Sequence, residues 1–176
     1  LGCDLECYAA GNCQNFADMF GISGKVRNMN RFSARLPGHC AFWDVMVRCG
    51  FLREEPVMVN GTPVSPLEFC TTLLTSQQQF WYRKDERDVG YIRVEARGRK
   101  NGTPVSVTHT IIDYADLDAG LTSMQRLVGF TVAIAASLIA NGGFTERGLV
   151  MPMRVPLSLM QPELAKRDIH IMTNID

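Results

Sequence analysis

Three arginines and one histidine are the side chains in this 176-residue chain whose types and spacing could serve chemistry. Arg31 and Arg35 lie four apart, just before Pro37-Gly38-His39, and Arg126 falls just inside the start of a long apolar stretch. A guanidinium holds a carboxylate through two parallel N–H bonds, so each arginine is a candidate carboxylate clamp. A cation at a helix start opposes the helix dipole, so Arg126 calls for a carboxylate partner, supplied by Asp113, Asp116 or Asp118 or by a ligand. Arg31 and Arg35 share one face of a strand, and the other reading of that pair is a solvated charged face. His39 is a candidate for proton transfer, with a surface turn residue as the alternative. His109 reads as a hydrogen-bonded core histidine. Trp43, Trp81 and Tyr82 read as core or interface aromatics.

Regular elements must position these groups. Asn12 is placed to cap a short helix ending near Phe20, with Gly21 as its stop. Residues 25–35 read as extended, anchored by Val26 and Phe32. Pro37-Gly38 opens a helix that runs through Cys49 to Gly50, with Phe42, Val45, Met46 and Cys49 inward and Asp44–Arg48 as an exposed (i, i+4) pair. Asn60-Gly61 marks a small hairpin over 57–64. Ser65-Pro66-Leu67-Glu68 then has capping-box spacing with proline at the first helical position, and Leu67, Cys70, Leu73 and Leu74 form the inner side.

The second Asn-Gly, Asn101-Gly102, sets a register. A two-residue type I′ turn pairs Lys100 with Thr103, Gly98 with Val105, Ala96 with Val107, Val94 with His109 and Ile92 with Ile111. One face of the ribbon is then apolar, and the other carries Arg93, Glu95, Arg97, Arg99, Ser106, Thr108 and Thr110. Residues 120–143 form a helix capped by Thr122 and stopped at Asn141-Gly142-Gly143. Leu127, Phe130, Ile134 and Leu138 make a large apolar face, and Gly129, Ala133, Ala136 and Ala140 a face of small residues, so the helix is expected to be buried on more than one side. Its uncharged run of about 14 residues falls short of the roughly 20 needed for a bilayer span, so no membrane partner is expected. Residues 149–155 are short and apolar, 156–167 are helical despite Pro162, and 169–172 form a last strand. Strands and helices without βαβ rhythm define an α+β class, with a mixed, largely antiparallel sheet covered by helices.

Eighteen basic and eighteen acidic residues leave no net charge, which removes the general electrostatic case for nucleic acid. Six cysteines without a C-x-x-C pair read as free, buried thiols of a cytoplasmic protein, and His39, His109 and His170 have no metal-ligand spacing. Glycine-rich nucleotide cradles and nucleophile elbows are absent from the sequence. The chain opens at Leu1 with neither an initiator methionine nor a secretion signal, and it is expected to be one domain, residues 1–176, of a longer protein.

Two runs resemble the saccharopine dehydrogenase family. RFSARLPGHCAFWDVMVRCGFL is similar to R-G-T-L-R-Y-P-G-x-x-x-x-W/I-x-x-L-x-x-x-G-h-L, matched at Arg31, Arg35, Pro37, Gly38, Trp43, Gly50 and Leu52. GLTSMQRLVG is similar to G-h-T-A-M-A-R-T-T-G, matched at Gly120, Thr122, Met124, Arg126 and Gly129, with Leu127 and Val128 in place of Thr-Thr. The resemblance implies the C-terminal domain of a two-part oxidoreductase, similar in fold to the C-terminal domain of glyceraldehyde-3-phosphate dehydrogenase. An N-terminal Rossmann domain, missing from this chain, would bind NAD or NADP. The present part would bind a small carboxylate-bearing amino-acid substrate and form a homodimer, and alone would be inactive. Arg35 and Arg126, then Arg31, are the implied clamps; Thr122 and Met124 are the implied wall beside the nicotinamide; His39 handles a proton. The rival reading is a non-catalytic ligand-binding or dimerisation module whose arginines are structural.

Overall fold

The computed structural model describes residues 2–11 and 13–176; the expected cap at Asn12, like Leu1 and the Gln14 side chain, lies outside the described residues. The chain forms two compact units, Leu1–Tyr82 and Arg83–Asp176. Every strand pair among the described residues is antiparallel, and the strands fall into three small sheets interspersed with helices, an α+β protein.

In the first unit, β1 (Glu6–Ala9) pairs with β2 (Phe32–Arg35), placing Glu6 opposite Arg35 and Tyr8 opposite Ser33. The extended segment is shorter than expected, and Val26 and Phe32 are exposed, so they anchor nothing. Helix α1 (Gln14–Met19) ends at Phe20 with Gly21 in the left-handed conformation, as the sequence predicts. Helix α2 (His39–Arg48) starts at Gly38 and stops at Gly50, whose φ of 82° only glycine adopts without strain. Its inner side is a correction. Trp43 and Met46 turn inward, while Phe42, Val45 and Cys49 are exposed, because the ribbon touches the helix at its first turn instead of along the expected stripe. Asp44 and Arg48 form the predicted exposed pair at 2.9 Å.

The small hairpin β3 (Val57–Val59) and β4 (Thr62–Val64) turns at Asn60-Gly61. Helix α3 (Pro66–Thr75) follows, with the Ser65 hydroxyl accepting from Glu68 N–H and proline in the first turn. Cys70 is buried on its inner side, whereas Leu73 is exposed. Trp81 and Tyr82 are also exposed, and Trp81 Nε1 donates to the Thr75 carbonyl at 2.8 Å.

The second unit is built on the hairpin β5 (Val89–Lys100) and β6 (Thr103–Tyr114), whose register is the predicted one at every pair named above. Asn101 and Gly102 both have positive φ, which is what a type I′ turn needs to match strand twist. The third strand, β7 (Met172–Ile175), lies three residues beyond the expected 169–172. Ile169 is apolar for another reason: it is buried in the core, just after Asp168 turns the chain at a φ of 60°. His109 on β6 is half-buried and shares a 2.9 Å hydrogen bond with Thr173 on β7.

The long helix begins as α4 (Ser123–Gln125), widens into a π-helical segment over Arg126–Phe130 and continues as α5 (Thr131–Ala140). Thr122 caps it in a full capping box with Gln125, and Gly142 takes the left-handed stop. Ile134 is buried with Met160 and Leu164 of α6 (Leu157–Ala165) and with Ile169, while Leu127, Phe130 and Leu138 pack around them. The large apolar face is therefore the inner one. The small-residue face is not buried: Gly129, Ala133, Ala136 and Ala140 are exposed, as are Val128, Val132 and Ile139. The sheet and α6 lie on one side of the helix, and the unit has no further element for the other. By length and composition this run, Ser123–Ala140, could cross a membrane. Helix and sheet approach closely at Gly90, where a Cβ would come within 2.5 Å of Leu127 Cδ1.

Candidate functional site

The candidate residues divide between the units, with Arg31, Arg35 and His39 in the first and Thr122, Met124 and Arg126 in the second.

In the first unit, strand alternation puts Glu6 and Tyr8 on the ribbon face that carries Arg35 and Ser33. Arg31 continues this face just before β2, where its carbonyl accepts from Ala10 N–H at 2.9 Å. Arg35 lies over the Tyr8 ring at 6.0 Å, and among the described residues its guanidinium makes one hydrogen bond, to the Ala34 carbonyl. Most of its N–H donors therefore face outward. His39, at the start of α2, stacks on Tyr8 with ring centroids 6.2 Å apart and planes within 6°. Trp43, one turn along the helix, meets the imidazole at a tilt. The sequence thus named Arg35 and His39, and the fold brings both against a tyrosine that it did not name.

Glu6 is the second residue that sequence reasoning missed. Its carboxylate accepts from Gly38 N–H at 2.7 Å and Cys40 N–H at 2.9 Å, at the positive end of α2. The Gly38 amide first, then that of Cys40, hold its carboxyl below the ordinary value of 4.5. Because the folded-state value is depressed, this contribution to stability is complete above about pH 4.5 and is lost as pH falls through the lower folded value. An NMR titration is expected to show the Gly38 and Cys40 amide resonances shifting together below pH 4.5; a midpoint at or above that value would show that the bonds are not held in solution. The Cys40 thiol is pushed up by burial and by the neighbouring carboxylate, so it is not an activated nucleophile. All six cysteines are free, but only Cys13 and Cys70 are buried; Cys3, Cys7 and Cys49 are exposed, a correction that follows from the narrow contact between ribbon and helix.

In the second unit, Arg126 is buried and committed to the protein itself. Its Nε donates to Asp113 at 3.0 Å, its terminal nitrogens reach Asp113, Asp116 and the Arg167 carbonyl, and its plane lies 5.6 Å from the Phe130 ring. The hydrogen bond it donates to Asp113 raises its already high pKa further against the opposing effect of burial. Of the two readings offered for Arg126, the structure shows the internal ion pair. Asp118 is not part of it. Thr122 is used as the helix cap, and Met124 projects into solvent. Asp88 fixes this helix start from afar, accepting from Ser123 N–H at 2.8 Å and Ser123 Oγ at 2.7 Å. No local pattern could have named it, because it lies 35 positions from the serine it holds.

These features define an α+β chain of two units: in the first a ribbon carrying outward arginines abuts a helix N-terminus, and in the second a long hairpin supports a capped helix with an internal Arg–Asp pair. The chain belongs to the family of the saccharopine dehydrogenase C-terminal domain, whose model matches residues 1–168. It is 29% identical over 128 residues to the NADP(+), L-glutamate-forming saccharopine dehydrogenase of Schizosaccharomyces pombe, a match covering 72% of this chain and 27% of that protein. In fold it is similar to the apo, histidine-tagged L-Glu-forming saccharopine dehydrogenase of Saccharomyces cerevisiae, with a TM-score of 0.80 at 19% identity over 99% of this chain and 52% of that one. The chain thus spans roughly a quarter to a half of these relatives.

Proposed function

We propose that residues 1–176 are the substrate-binding and dimerisation domain of a cytoplasmic NAD(P)-dependent oxidoreductase that interconverts an amine and an imine of an amino-acid substrate by hydride transfer. The observation that carries this reading is the family match over nearly the whole chain, shared with relatives named as saccharopine dehydrogenases. The nicotinamide supplies the redox chemistry. In this reading binding of NAD or NADP falls to another part of the protein, and the antiparallel pairing of the strands described here, unlike the parallel βαβ cradle of a dinucleotide, supports that division.

The share of this chain is placement of the substrate. Arg35 has outward donors and a rigid aromatic support, and is the first clamp for a substrate carboxylate; Arg31 on the same face is the second. Arg126 drops out of that role because its donors are satisfied internally, and it fixes the helix start that presents Thr122 and Met124. His39 is the proton-handling group beside Arg35. The exposed side of α5, with Val132 and Ile139, supports an apolar contact with a second copy in a homodimer.

In the full-length protein, Arg35→Ala is expected to lower kcat/KM for the amino-acid substrate by about 1.5–3 kcal/mol, the value of a charge-assisted hydrogen bond, mainly through KM. Its thermal midpoint is expected to stay within a degree or two of wild type, since an exposed substitution costs about 0.5 kcal/mol or less. Unchanged kinetics on every amino-acid substrate the protein turns over would reject Arg35 as the clamp.

A further inference from the structure

We infer that Glu6 is a positioning residue: it grips the backbone on both sides of His39 and thereby fixes the imidazole against Tyr8, at the end of the ribbon that carries Arg35. The inference rests on the reading of Arg35 and His39 as the substrate-facing pair, although the Glu6 contact itself stands without it.

The two amides Glu6 accepts from belong to Gly38 and Cys40, the residues flanking His39. Gly38 has a φ of 93°, a conformation open to glycine, and lacks a side chain that could cap the helix locally. The carboxylate that satisfies these amides comes instead from 32 positions upstream. A local cap would have met the hydrogen-bonding need of the helix start equally well. Only a cap from the ribbon also ties the helix to the strand. That strand carries Tyr8 two residues after Glu6, on the same face, and its partner strand β2 places Arg35 directly opposite Glu6. One carboxylate therefore sets the imidazole against the ring it stacks on, while the pairing of β1 with β2 keeps the Arg35 guanidinium over that ring. With Glu6 removed, the turn keeps the His39 N–H bond to the Leu36 carbonyl at 3.3 Å but loses its tie to β1, the strand that carries Tyr8.

The test uses the full-length protein with isotopically labelled histidine, the His39 ring signals being assigned by their loss in His39→Gln. In Glu6→Ala these signals are expected to lose the ring-current shift from Tyr8 and move toward their positions in Tyr8→Leu. Turnover is expected to fall by about 10²-fold, the order that follows misplacement of a reacting group by an ångström. KM is expected to change little, in contrast to Arg35→Ala. Glu6→Gln, of nearly the same size but with one acceptor replaced by a donor, gives the same comparison should Glu6→Ala not fold. His39 signals that stay in place in both variants would overturn the inference. So would signals that move without loss of turnover while His39→Gln and Arg35→Ala impair the enzyme. If Arg35→Ala has no kinetic effect, the carboxylate reading fails, and the His39 signals in the Glu6 variants still decide the positioning contact by themselves.

Discussion

Asp113→Ala is expected to destabilise the chain by about 3–5 kcal/mol, the cost of leaving a buried charge without its partner. Arg126 and Asp113 have side-chain exposures of only 9% and 5%, so water cannot replace the lost carboxylate. The guanidinium cannot escape by losing its proton, because arginine is the most basic side chain. Asp116 does not substitute: it sits at 3.4 Å, is 37% exposed and bonds a different guanidinium nitrogen. The damage should reach beyond the pair. Arg126 Nη2 also donates to the Arg167 carbonyl, and the Arg126 and Arg167 guanidiniums both lie over the Phe130 ring, at 5.6 and 5.7 Å, so the pair joins the π-helical segment to the end of α6. Urea unfolding of Asp113→Ala, Arg126→Met and the double variant measures this directly. The double variant is expected to lose less than the sum of the single losses, since removing both charges leaves neither stranded. Simple additivity, or a loss below about 1 kcal/mol in Asp113→Ala, would show that the pair is open to solvent and that Arg126 is free to meet a ligand.

What the sequence makes legible here is local chemistry. The Asn101-Gly102 turn dictates the full register of β5 and β6, and Ser65, Thr122, Gly21 and Gly50 mark helix ends, because each acts through the backbone within a few residues. Contacts across sequence are where that reading stops. Glu6 and Asp88 hold helix starts 32 and 35 positions away, and neither belongs to a periodic or capping pattern. Strand β1, with the sequence ECYA, has no apolar alternation and is a strand because β2 pairs with it. For Arg126, spacing could name the candidate acids but could not choose between protein and ligand, since both would satisfy the same donors. The small-residue face of α5 shows the same limit: periodicity identifies a face that a neighbour could approach closely, while the presence of that neighbour depends on elements elsewhere.

Ile134→Ala is expected to cost about 2–5 kcal/mol, the second large effect, and it separates the two faces of this helix. Ile134 is 1% exposed and meets Met160, Leu164 and Ile169, so its truncation removes buried methyl and methylene groups and leaves a cavity among side chains of three chain segments. Met160 is unbranched and able to move into part of that space, which favours the lower half of the range. Val132, two residues earlier on the same helix, is 66% exposed, and Val132→Ala in the 176-residue chain is expected to change stability by no more than about 0.5 kcal/mol. Alanine has higher helix propensity than valine, so the sign of that small change is expected to be favourable. Denaturant midpoints for the two variants, with unchanged slopes, check the pair of values. Equal losses would mean that the Val132 side is covered in solution, and a self-association measurement on the same samples would then identify a second copy as the cover. A large loss at Ile134 with none at Val132 would place the working core of the second unit on one side of α5, and leave its small-residue side available to a partner surface.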